Sequence, residues 1–193
     1  MFKQLKNMCR DRWLAFAGCE SGVSAIEFAM VAPPAFLLLG VTIETGVMMF
    51  SQYTLQTAVE TAARSIRTGS AQMNSVSSTN FKNSICNSVG SLLDCSKVVV
   101  YVRSDPTFAA LVANTPPLLN IGPSTGSTTV SAPACYNPGN ASQPAIIIAT
   151  YDWYFVSWGM SAFGNVAGNK ANRLIGLTLF QNQNYPGSVA GTC

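Results

Sequence analysis

Two carboxylates stand where carboxylates are costly. Glu27 and Glu44 lie at the mouth and inside of a stretch from Phe28 to Phe50 that is otherwise free of ionisable residues. A charged side chain in hydrocarbon needs a counter-charge, a donor or the water interface. Each carboxylate is therefore a candidate for ion pairing or a marker of a membrane boundary, and for Glu44 the boundary reading stands beside the functional one. Sulfur is the second reactive set. Cys9 and Cys19 precede the apolar stretch, whereas Cys86, Cys95, Cys135 and Cys193 follow it. Four cysteines in an exported segment suit two disulfides, with three possible connectivities.

The remaining chemistry is sparse. The chain has no histidine, and beyond the apolar stretch its only carboxylates are Glu60, Asp94, Asp105 and Asp152. General acid–base catalysis at neutral pH draws on histidine or a tuned carboxylate pair, and metal centres on clusters of His, Cys and carboxylate. Neither supply is evident, and the cysteine spacings are unlike CxxC. No catalytic, cofactor-binding or metal-ligating residue is assigned, and neither a cofactor nor a small-molecule substrate is expected. Only 10% of residues are charged, against 48% hydrophobic, and the net charge is +3. Four of the eleven basic residues (Lys3, Lys6, Arg10, Arg12) precede Gly22, leaving no basic stripe for a nucleic-acid backbone.

The elements that position these groups begin with a basic leader. After it, the run from Phe28 to Phe50 would span about 34 Å as a helix, enough to cross a hydrocarbon core of about 30 Å. It is longer than the h-region of a secretory signal. The leader cations place the N-terminus in the cytosol and the bulk of the chain outside. Pro33 and Pro34 predict a kink or a short melted turn. From Ser51 to Arg67 a helical apolar spacing continues, with Glu60 and Arg64 at i,i+4, until Thr68-Gly69-Ser70 stops it. The spacing favours one helix from about Val23 to Arg67 over two separate ones.

Beyond it, Gln72 to Asn80 reads as a loop and Phe81 to Leu93 as a short amphipathic helix. Lys97 to Arg103, Ala145 to Phe155 and Asn172 to Gln181 read as strands, the first buried on both faces. Cys86 on that helix and Cys95 at the helix–strand turn are the expected pair, which leaves Cys135 with Cys193. Ser104 to Asn140 reads as docked loop with a short helix, and is the expected partner surface. Tyr151, Trp153, Tyr154, Phe155 and Trp158 are expected to be core and packing residues rather than a ligand platform. The whole predicts an α+β fold: a long N-terminal helix, transmembrane then amphipathic, packed on a small, mainly antiparallel sheet in a pilin-like arrangement.

Gly22 followed by Glu27 and Phe28 at the fifth and sixth places resembles the prepilin-peptidase site of type IV pilins. That resemblance implies cleavage after Gly22, a new amine at Val23, and pairing of such an amine with Glu27 in a fibre. The wider run GVSAIEFAMVAPPAFLLLGVTIETGVMMFSQYTLQTAVETAARSIRTG is similar to the opening of the TadE/TadG-like family. These are minor, pseudopilin-like components of tight-adherence (Flp, type IVc) pilus systems. Gly22, Glu27-Phe28, the proline after the first turns, Gly40, Glu44 and Ala62-Ala63-Arg64 carry the likeness. Asn137-Pro138-Gly139 ahead of Tyr151-Asp152-Trp153, and a last strand running to Asn182-Gln183-Asn184-Tyr185, resemble it as well. The family often has Asn-Glu-Pro at that end, and this chain lacks the acid.

The resemblance implies a leader (1–22), a transmembrane and stalk helix (23–67) and an exported α+β domain (68–193). It implies a bacterial inner-membrane protein of single pass, N-terminus cytoplasmic and bulk periplasmic, or its incorporation into an extracellular pilus. Its partners would be a prepilin peptidase, other pilins, inner-membrane pilus assembly proteins and the membrane. The alternative is an uncleaved single-pass anchor displaying an extracytoplasmic binding domain.

Overall fold

A computed structural model of the chain describes residues 23–117, 135–156, 160, 164–166, 171–186, 191 and 193. The leader with Gly22, Cys9 and Cys19, the apolar segment 118–121 and Trp158 lie outside the described residues. The chain divides into two compact units, one ending at Ile43 and one from Glu44 to Cys193.

Helix α1 runs from Val23 to Arg67 without a break. No melted turn interrupts it at Pro33 and Pro34. A proline removes only its own N–H from the ladder, and the flanking bonds keep the helix in register. In the first unit the helix presents apolar side chains outward: Ile26, Phe28, Met30, Val31, Phe36 and Leu38 are all about two-thirds exposed or more. In the second unit the same helix is amphipathic. Leu55, Ala58, Val59, Ala62, Ala63 and Ile66 recur at helical spacing and are buried.

The chain then turns at Gly69, whose φ of 78° lies in the left-handed region. Part of the expected 72–80 loop is helical. Helix α2 (Ser70–Met73) is a single turn, and α3 (Ser78–Val89) begins early because the Ser77 hydroxyl accepts from the Asn80 amide at 3.2 Å. Phe81, Ile85 and Val89 form its buried face. After two 3-10 turns, Gly90–Leu92 and Cys95–Lys97, strand β1 covers Val99–Ser104. Asp94 delays the strand by capping the second turn, accepting from the Ser96 amide at 3.0 Å. Helix α4 (Phe108–Asn114), the short strand β2 (Cys135–Tyr136) and the long strands β3 (Pro144–Tyr154) and β4 (Ala171–Gln181) complete the described elements.

The sheet order is β2-β1-β3-β4. β1 pairs antiparallel with β3, and β3 antiparallel with β4 along its whole length. β2 runs parallel to β1, so the sheet is mixed rather than antiparallel throughout. The Asn137 amide extends the pairing by donating to the Val102 carbonyl at 2.8 Å.

Alternation along β1 sends side chains into two cores. Val100 and Val102, with Ile147, Ala149 and Leu174, join the face lined by α1 and α3. Val99 and Tyr101 join Cys135 and Ile148 on the other. Each fully buried Leu, Ile or Val contributes about 1.5–3 kcal/mol, and the α1-facing core holds most of them. Gly176 marks the closest approach of β4 to α1. A Cβ there would lie 2.9 Å from Val59 Cγ2 and 3.1 Å from the Leu55 carbonyl oxygen. Two disulfides tie the second unit: Cys86 on α3 to Cys95, and Cys135 on β2 to Cys193.

Candidate functional site

The residues singled out in the sequence fall into two places. Near the N-terminus, Val23 opens α1, and Glu27 follows one turn later, exposed. Residues i and i+4 lie one above the other on a helix, so the Val23 backbone and the Glu27 carboxylate share one face. Phe28 beside them is 68% exposed. The stretch from Ser24 onward is long and apolar enough to cross a membrane, with a mean hydropathy of 1.9 over its best window. One exposed carboxylate on so apolar a surface has its charge offset by nothing in the apolar face itself.

Glu44 belongs to the second unit, partly buried, and its carboxylate accepts a hydrogen bond from the Val156 amide just past β3. It is the first of four residues at successive i+4 positions that lace α1 to the sheet. Met48 sulfur accepts from Asn172 Nδ2 at 3.3 Å. Gln52 then grips Ile175: its Oε1 accepts from the amide at 3.0 Å and its Nε2 donates to the carbonyl at 2.8 Å. Gln56 repeats the grip on Leu177, at 2.9 and 3.0 Å. A primary amide presents a donor and an acceptor side by side, as a neighbouring strand would. The two glutamines therefore stand in for a fifth strand on the outer edge of β4 and cover groups that would invite edge pairing. The expected Glu60–Arg64 pair is replaced by a contact in the other direction. Glu60 Oε1 accepts from Gln56 Nε2 at 2.7 Å, which steadies the latch.

Elsewhere in this unit, the later motifs converge. Pro138 and Gly139 form a turn held from three directions. Gln72 Nε2 donates to the Pro138 carbonyl at 3.1 Å, and Asn182 Nδ2 donates to the same carbonyl at 2.9 Å and to that of Asn140 at 3.0 Å. The Tyr185 hydroxyl donates to the Gly139 carbonyl at 3.0 Å. Gly139 has a φ of 72°, and a Cβ there would sit 2.0 Å from Ser104 Oγ, so no other residue fits without rebuilding the turn. Burial holds the Tyr185 phenol above its ordinary range, against the hydrogen bonds around it.

Asp152 and Arg173 form the pair that the sequence reading did not connect. They stand opposite each other in the β3–β4 register, and the guanidinium meets the carboxylate with both Nε and Nη2, at 2.5 and 2.7 Å. Their side chains are 3% and 4% exposed respectively. The signal lay in the register: two opposite charges at matching distances from the start of β4 and the end of β3. Tyr151 and Trp153 flank the pair and pack against the main core, whereas Tyr154 is 55% exposed. Among the described residues no group of three or more His, Cys, Asp and Glu could hold a metal ion.

Comparison with curated proteins and with solved structures found no significant match. A family model does match, over residues 22–64, and it is the one described as TadE-like protein. The matched residues run from Gly22 through Glu27, Pro33, Pro34, Gly40 and Glu44 to Arg64, while the turn at Asn137–Gly139 and the end of β4 lie outside the match. The resemblance read from the N-terminal residues is thus found independently in the same stretch, and residues 22–64 are similar to TadE-like proteins.

Proposed function

We propose that this protein is a membrane-anchored, pseudopilin-like component of a tight-adherence (Flp, type IVc) pilus, with a structural rather than a catalytic role. The observation that carries the reading is the TadE-like match over residues 22–64, which takes in the exposed apolar part of α1 from Ile26 to Leu39. Residues 23–43 would extend about 31 Å as a helix, the thickness of a hydrocarbon core. Glu44, tied to the Val156 amide, would then mark the outer boundary where the exported domain begins. The leader is removed by a prepilin peptidase after Gly22. The amine released at Val23 meets a Glu27 carboxylate, its own or that of a neighbouring subunit, and each charge lowers the cost of the other in hydrocarbon. Apolar side chains between Ile26 and Leu39 then pack among other pilin helices, with Gly40 allowing close approach.

The N-terminus of the mature chain tests this. Terminal-peptide and intact-mass spectrometry on the membrane fraction should find a chain beginning at Val23, lighter by the mass of the first 22 residues. A chain still beginning at Met1 would instead support the uncleaved anchor. Replacing Gly22 with a bulky residue should block processing, whereas Glu27→Ala should leave processing intact and impair assembly. Normal fibres from both variants would sink the proposal.

A further inference from the structure

The outer edge of β4 is closed at both ends and open between. The odd-numbered residues of this strand turn their backbone groups away from β3. Those of Ile175 and Leu177 are held by Gln52 and Gln56, and beyond the strand the Gln183 amide donates to the Arg67 carbonyl at 2.8 Å. Between these closures come Leu179 and Gln181. Among the described residues, nothing bonds their outward amides and carbonyls. A cleft of about 570 Å³ lies along this gap, lined on the helix side by Glu60, Ala63, Arg64 and Arg67 and on the strand side by Leu179 and Phe180. Its volume is within the range of ligand clefts, roughly 300–1,000 Å³.

The charges point to the occupant. Arg64 and Arg67 are both exposed and neither makes an ion pair among the described residues, whereas Glu60 is engaged by Gln56. The other described cations of the exported domain are committed: Lys97 to Asp94, Arg103 to Asp105, Arg173 to Asp152, with Lys82 buried. Those same pairs engage all three aspartates of the domain, while Glu44 is held by the Val156 amide and Glu60 by Gln56, so a second copy has no uncommitted carboxylate of this domain to offer. Lipid headgroups suit the site poorly, because Arg64 lies about 21 Å along the helix beyond Phe50, where the apolar run ends.

We propose that this cleft accepts an extended segment of a different protein, which pairs as a short strand with Leu179 and Gln181 and places an acidic side chain between Arg64 and Arg67. Main-chain pairing supplies the affinity and the arginines the selectivity, as in other strand-addition sites. The inference does not rest on leader processing and survives if that reading fails.

The test uses the full chain in detergent micelles and a capped, fluorescein-labelled Thr-Val-Asp-Val-Thr peptide, followed by anisotropy. Binding should weaken about tenfold when asparagine replaces the aspartate, and by a similar factor in the double variant Arg64→Gln, Arg67→Gln. Methylating the peptide amides that would face β4 should abolish binding to the unaltered protein, and hydrogen exchange over residues 178–183 should slow only with the unmethylated peptide. Equal binding of the methylated peptide, or full competition by inorganic phosphate, would reduce the site to a simple anion site and overturn the proposal. So would absence of peptide binding, or binding of the arginine pair to phosphatidylglycerol vesicles in its place.

Discussion

Gln52 holds Ile175 by both backbone groups, its Nε2 2.8 Å from the carbonyl and its Oε1 3.0 Å from the amide. The arrangement needs a group that donates and accepts at once. Gln52→Ala should cost about 1–3 kcal/mol, the net worth of two hydrogen bonds. Gln52→Glu should cost more, because the carboxylate keeps the acceptor and turns its second oxygen on the Ile175 carbonyl. Chemical denaturation of the two variants checks the order; a Gln52→Ala variant as stable as the unaltered protein would mean that the latch contributes nothing beyond helix packing.

Asp152 and Arg173 share a buried, two-point contact. Removing one partner leaves the other charged and enclosed, so Asp152→Leu or Arg173→Met alone should destabilise by about 3–5 kcal/mol. The double variant Asp152→Leu, Arg173→Met should recover most of that loss. A double-mutant cycle read by urea midpoints decides it, and additive single effects would show that the pair is not coupled.

Gly176 has no room for a side chain. Alanine would bring its Cβ to 2.9 Å from Val59 Cγ2 and 3.1 Å from the Leu55 carbonyl oxygen. The methyl of Val59 can yield and the helix backbone cannot, so Gly176→Ala should cost about 1–3 kcal/mol and Gly176→Val more. Pairing Gly176→Ala with Val59→Ala should relieve the part owed to the methyl. If that double variant is no more stable than the sum of the single changes, the helix carbonyl alone sets the limit.

Tyr136 gives a pH dependence at the alkaline end. Burial pushes its phenol up to about 12, from an ordinary value of 10.0. The folded chain therefore keeps this proton over a range in which the unfolded chain has lost it. The stability due to the neutral phenol is fully present below pH 10 and is lost as the pH rises through about 12. Absorbance at 295 nm should show a late-titrating tyrosine that disappears in Tyr136→Phe, and that substitution should flatten the fall in stability over the same window. The substitution should be tolerated at neutral pH, because the buried hydroxyl has no hydrogen-bond partner among the described residues. A fall in stability unchanged by Tyr136→Phe would assign it to another group.

The long elements were legible because their local signals and their tertiary roles agree. The β-branched run at Val98–Val102 is buried on both faces, and the apolar spacing from Leu55 to Ile66 is the face that meets the sheet. Strand β2 left no trace in the sequence, since two residues have no period and Cys135–Tyr136 pair only once β1 exists. The glutamine latch was hidden for a different reason. On a half-polar helix, Gln52 and Gln56 look like solvated residues, and only the outward backbone of β4 gives them partners. Likewise, Asn137–Gly139 and Asn182–Tyr185 read as separate motifs in the sequence, and the fold makes them one clasp. What the sequence withheld was consistently a pairing between distant backbone and side-chain groups.

The bond between Cys135 and Cys193 has a mechanical meaning. It closes a loop with a sequence separation of 58 that contains both long strands, β3 and β4. Tension applied between α1 and Cys193 passes through sulfur into β2 and its neighbour β1, and never reaches β3 or β4 along the chain. About 200 Å of contour length is thereby withheld from extension. A subunit pulled at these two points gives way through β2 and β1, and the β3–β4 pairing, the longest in the sheet, stays enclosed.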